Sequence, residues 1–148
     1  MQKFMKLALR LAKKANPSPN PRVGAVLVKG NKIIGAGYHK KAGLPHAEIE
    51  AIENAKLESS DPEIVKGATL YVTLEPCSHT NKRTPPCTKA IIANKIKRVV
   101  FAMNDPNPFV DGARELQRAG IEVSGPTDEK TAAGINKAYL RNVYKKII

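Results

Sequence analysis

One histidine and two cysteines near the middle of the sequence have the chemistry of metal ligands. His46 begins the motif His-Ala-Glu, Cys77 ends Glu-Pro-Cys, and Cys87 ends Thr-Pro-Pro-Cys. One imidazole nitrogen and two thiolate sulfurs can bind zinc and leave its fourth tetrahedral position open for water, whereas a structural zinc site is normally closed by four side chains. The spacing therefore predicts a catalytic zinc site at His46, Cys77 and Cys87.

Glu48 lies two residues after the first predicted ligand and is the candidate for moving protons. A carboxylate that is not itself a ligand can take a proton from water and deliver it to a substrate. Zinc deaminases combine such a glutamate with one histidine or cysteine and two further cysteines on the metal. We therefore predict that Glu48 is the catalytic residue of a hydrolytic deamination, in which a ring amino group leaves as ammonia.

Other interpretations of these residues remain open in the sequence. Cys77 and Cys87 could form a disulfide or be inert buried thiols. The zinc could instead be structural, with His39 or His79 as a fourth ligand, but Glu48 would then have no role. A domain built in that way would be a non-catalytic, zinc-stabilised module that binds RNA.

The predicted secondary structure brings the three candidate ligands to one edge of a sheet. A helix begins near His46, a strand over residues 68–74 precedes Cys77, and Thr84 can cap a helix whose first turn holds two prolines and Cys87. His46 and Glu48 are about 200° apart on a regular helix, because each residue turns it by roughly 100°. They can converge on one metal only at the mouth of the first turn.

The remaining segments predict an α/β fold. They are a helix over residues 2–15, strands over 23–28 and 33–38 joined by a tight turn, a strand over 98–103, a helix over 111–119, a strand over 121–124, and a last helix that Thr127 caps and that runs towards Tyr144. The helix between the last two strands implies that these strands are parallel. We predict three α/β/α layers around a mixed sheet of about five strands.

Length and composition suit one domain over residues 1–148. The chain carries 25 Lys and Arg against 13 Asp and Glu, a formal charge of +12. This balance favours an anionic partner, either nucleic acid or a phosphorylated metabolite, but a solvated lysine-rich surface explains it equally well. No apolar run is long enough to span a bilayer, and the basic, amphipathic first fifteen residues do not have the pattern of a secretory signal, so we predict a cytoplasmic protein without membrane contact.

These motifs resemble the cytidine-deaminase-like superfamily. The closer resemblance, nearly end to end, is to the diaminohydroxyphosphoribosylaminopyrimidine deaminases of riboflavin biosynthesis. It depends on Asn-Pro-Arg-Val-Gly at residues 20–24, Tyr-Val-Thr-Leu-Glu-Pro-Cys-Ser-His at 71–79, Thr-Pro-Pro-Cys at 84–87, Asp-Pro-Asn-Pro at 105–108 and Ala-Gly-Ile at 119–121. Nine residues separate the two cysteines, whereas nucleic-acid and simple nucleoside deaminases usually show Cys-x-x-Cys.

The resemblance implies a zinc enzyme that acts on a small phosphorylated pyrimidine. Zinc would be held by His46, Cys77 and Cys87, with Glu48 as the proton shuttle. The substrate contacts that the resemblance implies are Asn20, His39, His79 and a basic residue before Thr84, which is Arg83 or its neighbour Lys82. The choice between these two stays open because Asn81-Lys82-Arg83 replaces the family's usual glycine and basic residue, which makes this loop one residue longer.

Each implied substrate contact also has a structural interpretation. His39 and His79 could be hydrogen-bonded structural histidines, and Asn20 could shape the proline-rich turn. Lys82 and Arg83 could be solvated loop charges, and Asp105 more simply forms an Asx-turn before Pro106.

The resemblance also implies a homo-oligomer. Bacterial members commonly continue into a reductase domain, and residues 1–148 contain none. The alternative function is deamination of a nucleobase in nucleic acid, such as a tRNA adenosine. The charge of +12 favours it, but only seven aromatic residues and no tryptophan argue against a base-stacking surface.

Overall fold

The structure is a computed structural model that describes residues 2–78, 86–107 and 109–147. In chain order its elements are α1 (Gln2–Ala12), β1 (Gly24–Lys29), β2 (Lys32–Tyr38), α2 (Ala47–Leu57), β3 (Thr69–Leu74), α3 (Cys87–Ala93), β4 (Arg98–Met103), α4 (Gly112–Arg118), β5 (Glu122–Ser124), α5 (Glu129–Ile135) and α6 (Lys137–Ile147). None of the helices within the described residues has the length and apolar character that crossing a membrane requires.

The five strands form one mixed sheet in the order β2-β1-β3-β4-β5. β1 is antiparallel to both β2 and β3, while β3, β4 and β5 run parallel to one another. Gly30 and Asn31 have φ angles of 57° and 63°, the left-handed conformation that both central residues of a type I′ hairpin turn require. The predicted mixed sheet, hairpin and parallel last pair are confirmed.

Helices cover both faces of the sheet. A methyl group on Gly24 would overlap the carbonyl oxygen of Ala8 in α1, and one on Gly35 would overlap the carbonyl oxygen of Ala51 in α2. Gly35 pairs with Leu27 in β1, three residues from Gly24 and therefore on the opposite face. The α1 helix also contacts α5, and α3 contacts both α2 and α4. The layers are therefore α1 and α5, the sheet, and α2 to α4.

The end of α1 and the start of α3 differ from their predicted positions. α1 ends at Ala12 rather than residue 15, and the next two amides bond to carbonyls only three residues back, which tightens the chain out of the helix. α3 begins at Cys87 with Pro86 at its N-cap, so Pro86 precedes the first turn instead of lying in it. Thr84, the predicted cap, lies outside the described residues.

The predicted final helix is two helices, and its cap is not Thr127. The Asp128 side chain accepts from the Thr131 amide at 3.3 Å and caps α5. Thr127 instead donates its hydroxyl to the Phe101 carbonyl at 3.3 Å. Asn136 interrupts the helix because its side chain bonds in both directions to the backbone of Arg22, 114 positions away. A contact so distant in sequence overrides the helical pattern.

Candidate active site

The three candidate ligands lie at the ends of three elements, as predicted. His46 is the N-cap of α2, with φ −67° and ψ 162°. Cys87 is the first residue of α3, and Cys77 follows the end of β3. The backbone of His46 is extended rather than helical. The separation of about 200° that a regular helix would impose between His46 and Glu48 therefore does not apply, and both side chains can face the same site.

The ligand atoms of these residues are close enough to share one ion. His46 Nδ1 lies 3.3 Å from Cys87 Sγ and 3.7 Å from Cys77 Sγ, and all three atoms lie within 4.8 Å of one another. Tetrahedral zinc, with bonds of about 2.3 Å to sulfur and 2.0–2.1 Å to nitrogen, would hold nitrogen and sulfur about 3.6 Å apart. Both thiols are free, which excludes the disulfide interpretation, and the donor set fits zinc.

The two thiols differ in protonation. The hydrogen bond from the Cys87 side chain, aided by one from His46, lowers the pKa of Cys77 from 9.0 to about 4 against the opposing effect of burial. The same contact with Cys77, together with burial and the nearby Glu48, raises the pKa of Cys87 well above 9.0. The backbone N–H of Cys87 also donates to Cys77 Sγ at 3.2 Å. These contacts favour the thiolate form of Cys77, which is the form that binds zinc.

Glu48 is buried beside this cluster, with 4% of its surface exposed. Burial raises the pKa of its carboxyl above 4.5, and His46 only partly offsets this effect. A raised pKa makes the carboxylate a stronger base than an ordinary glutamate, and a general base needs this property to take a proton from water.

A cavity of about 140 Å³ opens beside the cluster, next to the carboxyl ends of β3 and β4. Open α/β sheets generally bind ligands at this edge. The residues that line the cavity are Asn20, Pro21, Val23, His39, His46, Glu48, Leu74, Glu75, Cys77, Asp105, Asn107 and Tyr139. Two of the three predicted ligands, His46 and Cys77, therefore line one cavity with the predicted proton shuttle Glu48. The predicted substrate contacts Asn20 and His39 line it as well.

Asn20 and His39 form a hydrogen-bonded pair in this cavity. Asn20 Nδ2 lies 3.0 Å from His39 Nε2, and His39 Nδ1 lies 3.0 Å from the Pro45 carbonyl oxygen. If Nδ1 carries the proton and donates to Pro45, Nε2 accepts from the Asn20 amide. Within the described residues, the cluster of candidate metal ligands does not include His39. The other three predicted contacts, His79, Lys82 and Arg83, lie outside the described residues.

Glu75 is a site residue that the sequence reasoning missed. Its buried carboxylate accepts from the Asp105 amide at 3.2 Å and from the Ala113 amide at 3.0 Å. Asp105 in turn accepts from the Asn107 amide at 2.9 Å, the predicted Asx-turn. Glu75 thus joins the loop after β4 and the start of α4 to the Cys77 segment. An acidic residue directly after a buried strand was the available signal.

Tyr139 was also missed. It reaches the cavity from α6, and burial together with the charge of Asp105 raises its pKa to about 12. A tyrosine among the polar residues of a terminal helix gives no sequence signal for a site.

Comparison with known proteins identifies the family of this site. The family model for the cytidine and deoxycytidylate deaminase zinc-binding region matches residues 1–103. The chain belongs to this family. The zinc-binding residues of the deaminase family are thus expected within the matched range, where His46, Cys77 and Cys87 all lie.

Similar proteins carry names from riboflavin biosynthesis. The chain is 54% identical over 140 residues to the riboflavin biosynthesis protein RibD of Aquifex aeolicus and 48% identical over 144 residues to that of Escherichia coli, covering 92% and 95% of this chain. It spans 37% of the length of each. A solved structure from Thermotoga maritima, a diaminohydroxyphosphoribosylaminopyrimidine deaminase/5-amino-6-(5-phosphoribosylamino)uracil reductase, has a TM-score of 0.90 and 44% identity over 98% of this chain and 41% of that one.

Proposed function

We propose that this chain is a zinc-dependent hydrolase that deaminates a phosphoribosylated diaminopyrimidine in riboflavin biosynthesis, releasing ammonia and giving the aminouracil product. The observation that carries the proposal is the cluster of His46, Cys77 and Cys87 with Glu48 buried beside it at a small cavity. The similarity to riboflavin biosynthesis proteins supports the choice of substrate.

In this proposal His46 Nδ1 and the sulfurs of Cys77 and Cys87 hold the metal. Zinc, when bound, supplies a Lewis-acidic centre that lowers the pKa of a coordinated water to about 7. The Cys77 thiolate is prepared for this task by its contacts with Cys87 and His46. Cys87 must lose its proton when the metal binds, because a zinc ligand is the thiolate form.

Glu48 carries the proton transfers. Its carboxylate takes a proton from the water that adds to the amino-bearing ring carbon and delivers it to the adjacent ring nitrogen. It then takes the second proton from the hydroxyl now on that carbon and passes it to the amino group, so that the carbonyl forms, the carbon–nitrogen bond breaks and ammonia departs. The net change adds one water and releases one ammonia, leaving a carbonyl on the ring.

Asn20 and His39 orient the pyrimidine. The Asn20 carboxamide can offer a donor and an acceptor to the ring edge. The bond between Asn20 and His39, and that between His39 and Pro45, hold the amide in one orientation. The phosphate contact is assigned to Lys82 or Arg83, since a guanidinium or ammonium binds phosphate strongly.

Ammonia release tests the proposal. The zinc-loaded chain is assayed in parallel with the phosphoribosylated diaminopyrimidine, cytidine and a tRNA anticodon stem-loop. Turnover of the diaminopyrimidine alone is the expected result. Turnover of the stem-loop with a steep loss at higher salt would instead indicate a nucleic-acid deaminase, and no ammonia from any of the three would exclude the proposed activity.

A further inference from the structure

Part of the cavity wall has no role in the proton transfers. Tyr139 from α6 and Asp105 and Asn107 from the loop after β4 line the same cavity as Glu48 and Cys77. Among the described residues that line the cavity there is neither lysine nor arginine. This wall offers a phenol, a carboxylate and an amide but no cationic group.

The position of Tyr139 is fixed by the junction between α5 and α6. The Asn136 side chain accepts from the Arg22 amide at 2.7 Å and donates to the Arg22 carbonyl at 2.9 Å. Asn136 is 7% exposed, so these bonds are shielded from water. Arg22 lies two residues after Asn20, and Tyr139 lies three residues after Asn136. The two hydrogen bonds between Asn136 and Arg22 therefore connect the loop that carries Asn20 to the first turn of α6, which carries Tyr139.

The chemistry of this wall favours a neutral hydroxyl over an anion. The Tyr139 phenol is a neutral hydrogen-bonding group, and burial and the negative charge of Asp105 raise its pKa further, to about 12. The same negative charge disfavours a phosphate nearby. A sugar hydroxyl can donate to a carboxylate and accept from a phenol, so it matches both groups.

We propose that Tyr139 is a specificity-determining residue whose hydroxyl contacts the sugar of the substrate. The pyrimidine then lies towards Glu48, and the phosphate lies away from Tyr139 and Asp105. This inference rests on the proposed function, because it assumes a substrate that carries a sugar. Asn136 is the positioning residue that holds Tyr139 at the cavity.

The test compares Tyr139→Phe with Tyr144→Phe. Both substitutions remove only a hydroxyl from α6, and Tyr144 is 54% exposed and does not line the cavity. Three substrates are used with each protein: the phosphoribosylated diaminopyrimidine, the same compound without its phosphate, and the free pyrimidine base. Ammonia release gives kcat and KM, and calorimetry gives the Kd of the three corresponding products.

For the two sugar-bearing substrates we expect Tyr139→Phe to raise KM roughly three- to tenfold, the effect of losing one uncharged hydrogen bond. Their kcat should stay near that of the wild type, and the Kd of their products should rise by the same factor. The free base and its product should bind as they do to the wild type. Tyr144→Phe should match the wild type throughout.

Four results would overturn the inference. The first is identical behaviour of Tyr139→Phe and Tyr144→Phe. The second is an equal loss for the free base, which would place the hydroxyl on the ring. The third is an effect confined to the phosphorylated substrate, and the fourth is a loss of kcat without a change in KM. If the wild type released no ammonia, the proposed function would fail together with this inference. The four results above would overturn only the inference about Tyr139.

Discussion

At the scale of single residues, a substitution at Glu48 distinguishes its role in catalysis from a role in metal binding. Glu48→Gln keeps the shape of the side chain but cannot take up a proton, so ammonia release should fall by about two to four orders of magnitude. Bound zinc, measured by atomic absorption, should stay at the wild-type level, because the proposed ligands are His46, Cys77 and Cys87.

The control for this substitution is Glu53→Gln, an exposed glutamate on the same helix. It should keep wild-type activity. Full turnover by a zinc-replete Glu48→Gln protein would exclude the catalytic role, and loss of the metal from that protein would show that Glu48 is instead needed for the zinc site.

The thiol pair gives a prediction for pH. In the metal-free protein, ultraviolet absorbance should show one thiolate forming with a midpoint of about 4, that of Cys77, and a second only well above pH 9.0, that of Cys87. Cys87→Ser should change the first midpoint, because the Cys87 contact is the largest cause of the lowered pKa of Cys77. Two thiolates forming together near pH 9 would contradict the described geometry.

The same shift affects the stability of the metal-free protein. The pKa of Cys77 is lower in the folded state than its ordinary value of 9.0. Its thiolate therefore stabilises the fold fully above pH 9, and this contribution declines as the pH falls and is lost on passing through about 4. Cys87 acts in the opposite sense, because its pKa is raised in the folded state: its contribution to stability is present below pH 9 and is lost as the pH rises above 9.

The close approach of α4 to the Cys77 segment gives a prediction at the scale of elements. A methyl group on Gly112 would overlap the Pro76 carbonyl oxygen, next to a predicted zinc ligand. Gly112→Ala should therefore lower the free energy of unfolding by about 1–3 kcal/mol, measured by urea denaturation. It should also weaken zinc retention, because α4 is joined to Glu75 through the Ala113 amide.

Gly134→Ala in α5 is the matched control, since a methyl group there meets nothing within 4 Å. It should raise the free energy of unfolding by up to about 1 kcal/mol, because alanine favours a helix over glycine. Equal stability of the two alanine variants would contradict the proposed packing of α4 against Pro76.

Patterns within a single element were predictable from the sequence. The strand over residues 98–103 has the bounds that its apolar run predicts, and the hairpin follows from the Gly30-Asn31 turn. The ligand cluster also follows from local signals, because His46, Cys77 and Cys87 each stand at a recognisable element end. Features that depend on distant partners were not predictable: the break at Asn136, bonded to Arg22, and the roles of Glu75 and Tyr139.

At the scale of the whole molecule, the core and the metal cluster are separate. The buried residues of β1, β3 and β4 pack between two layers of helices, while the cluster lies at the edge where β3 ends. Removing zinc with a chelator should therefore abolish ammonia release and leave the far-ultraviolet circular dichroism unchanged, and added zinc should restore activity. Unfolding on chelation would identify the zinc as structural.

The central claim is that three side chains hold the zinc and leave one position for solvent. X-ray absorption at the zinc edge of the loaded chain measures this directly. We expect two sulfurs at about 2.3 Å and two lighter atoms at about 2.0–2.1 Å, with only one of the lighter atoms from an imidazole. A second imidazole, a third sulfur, or a zinc shell without sulfur would contradict it.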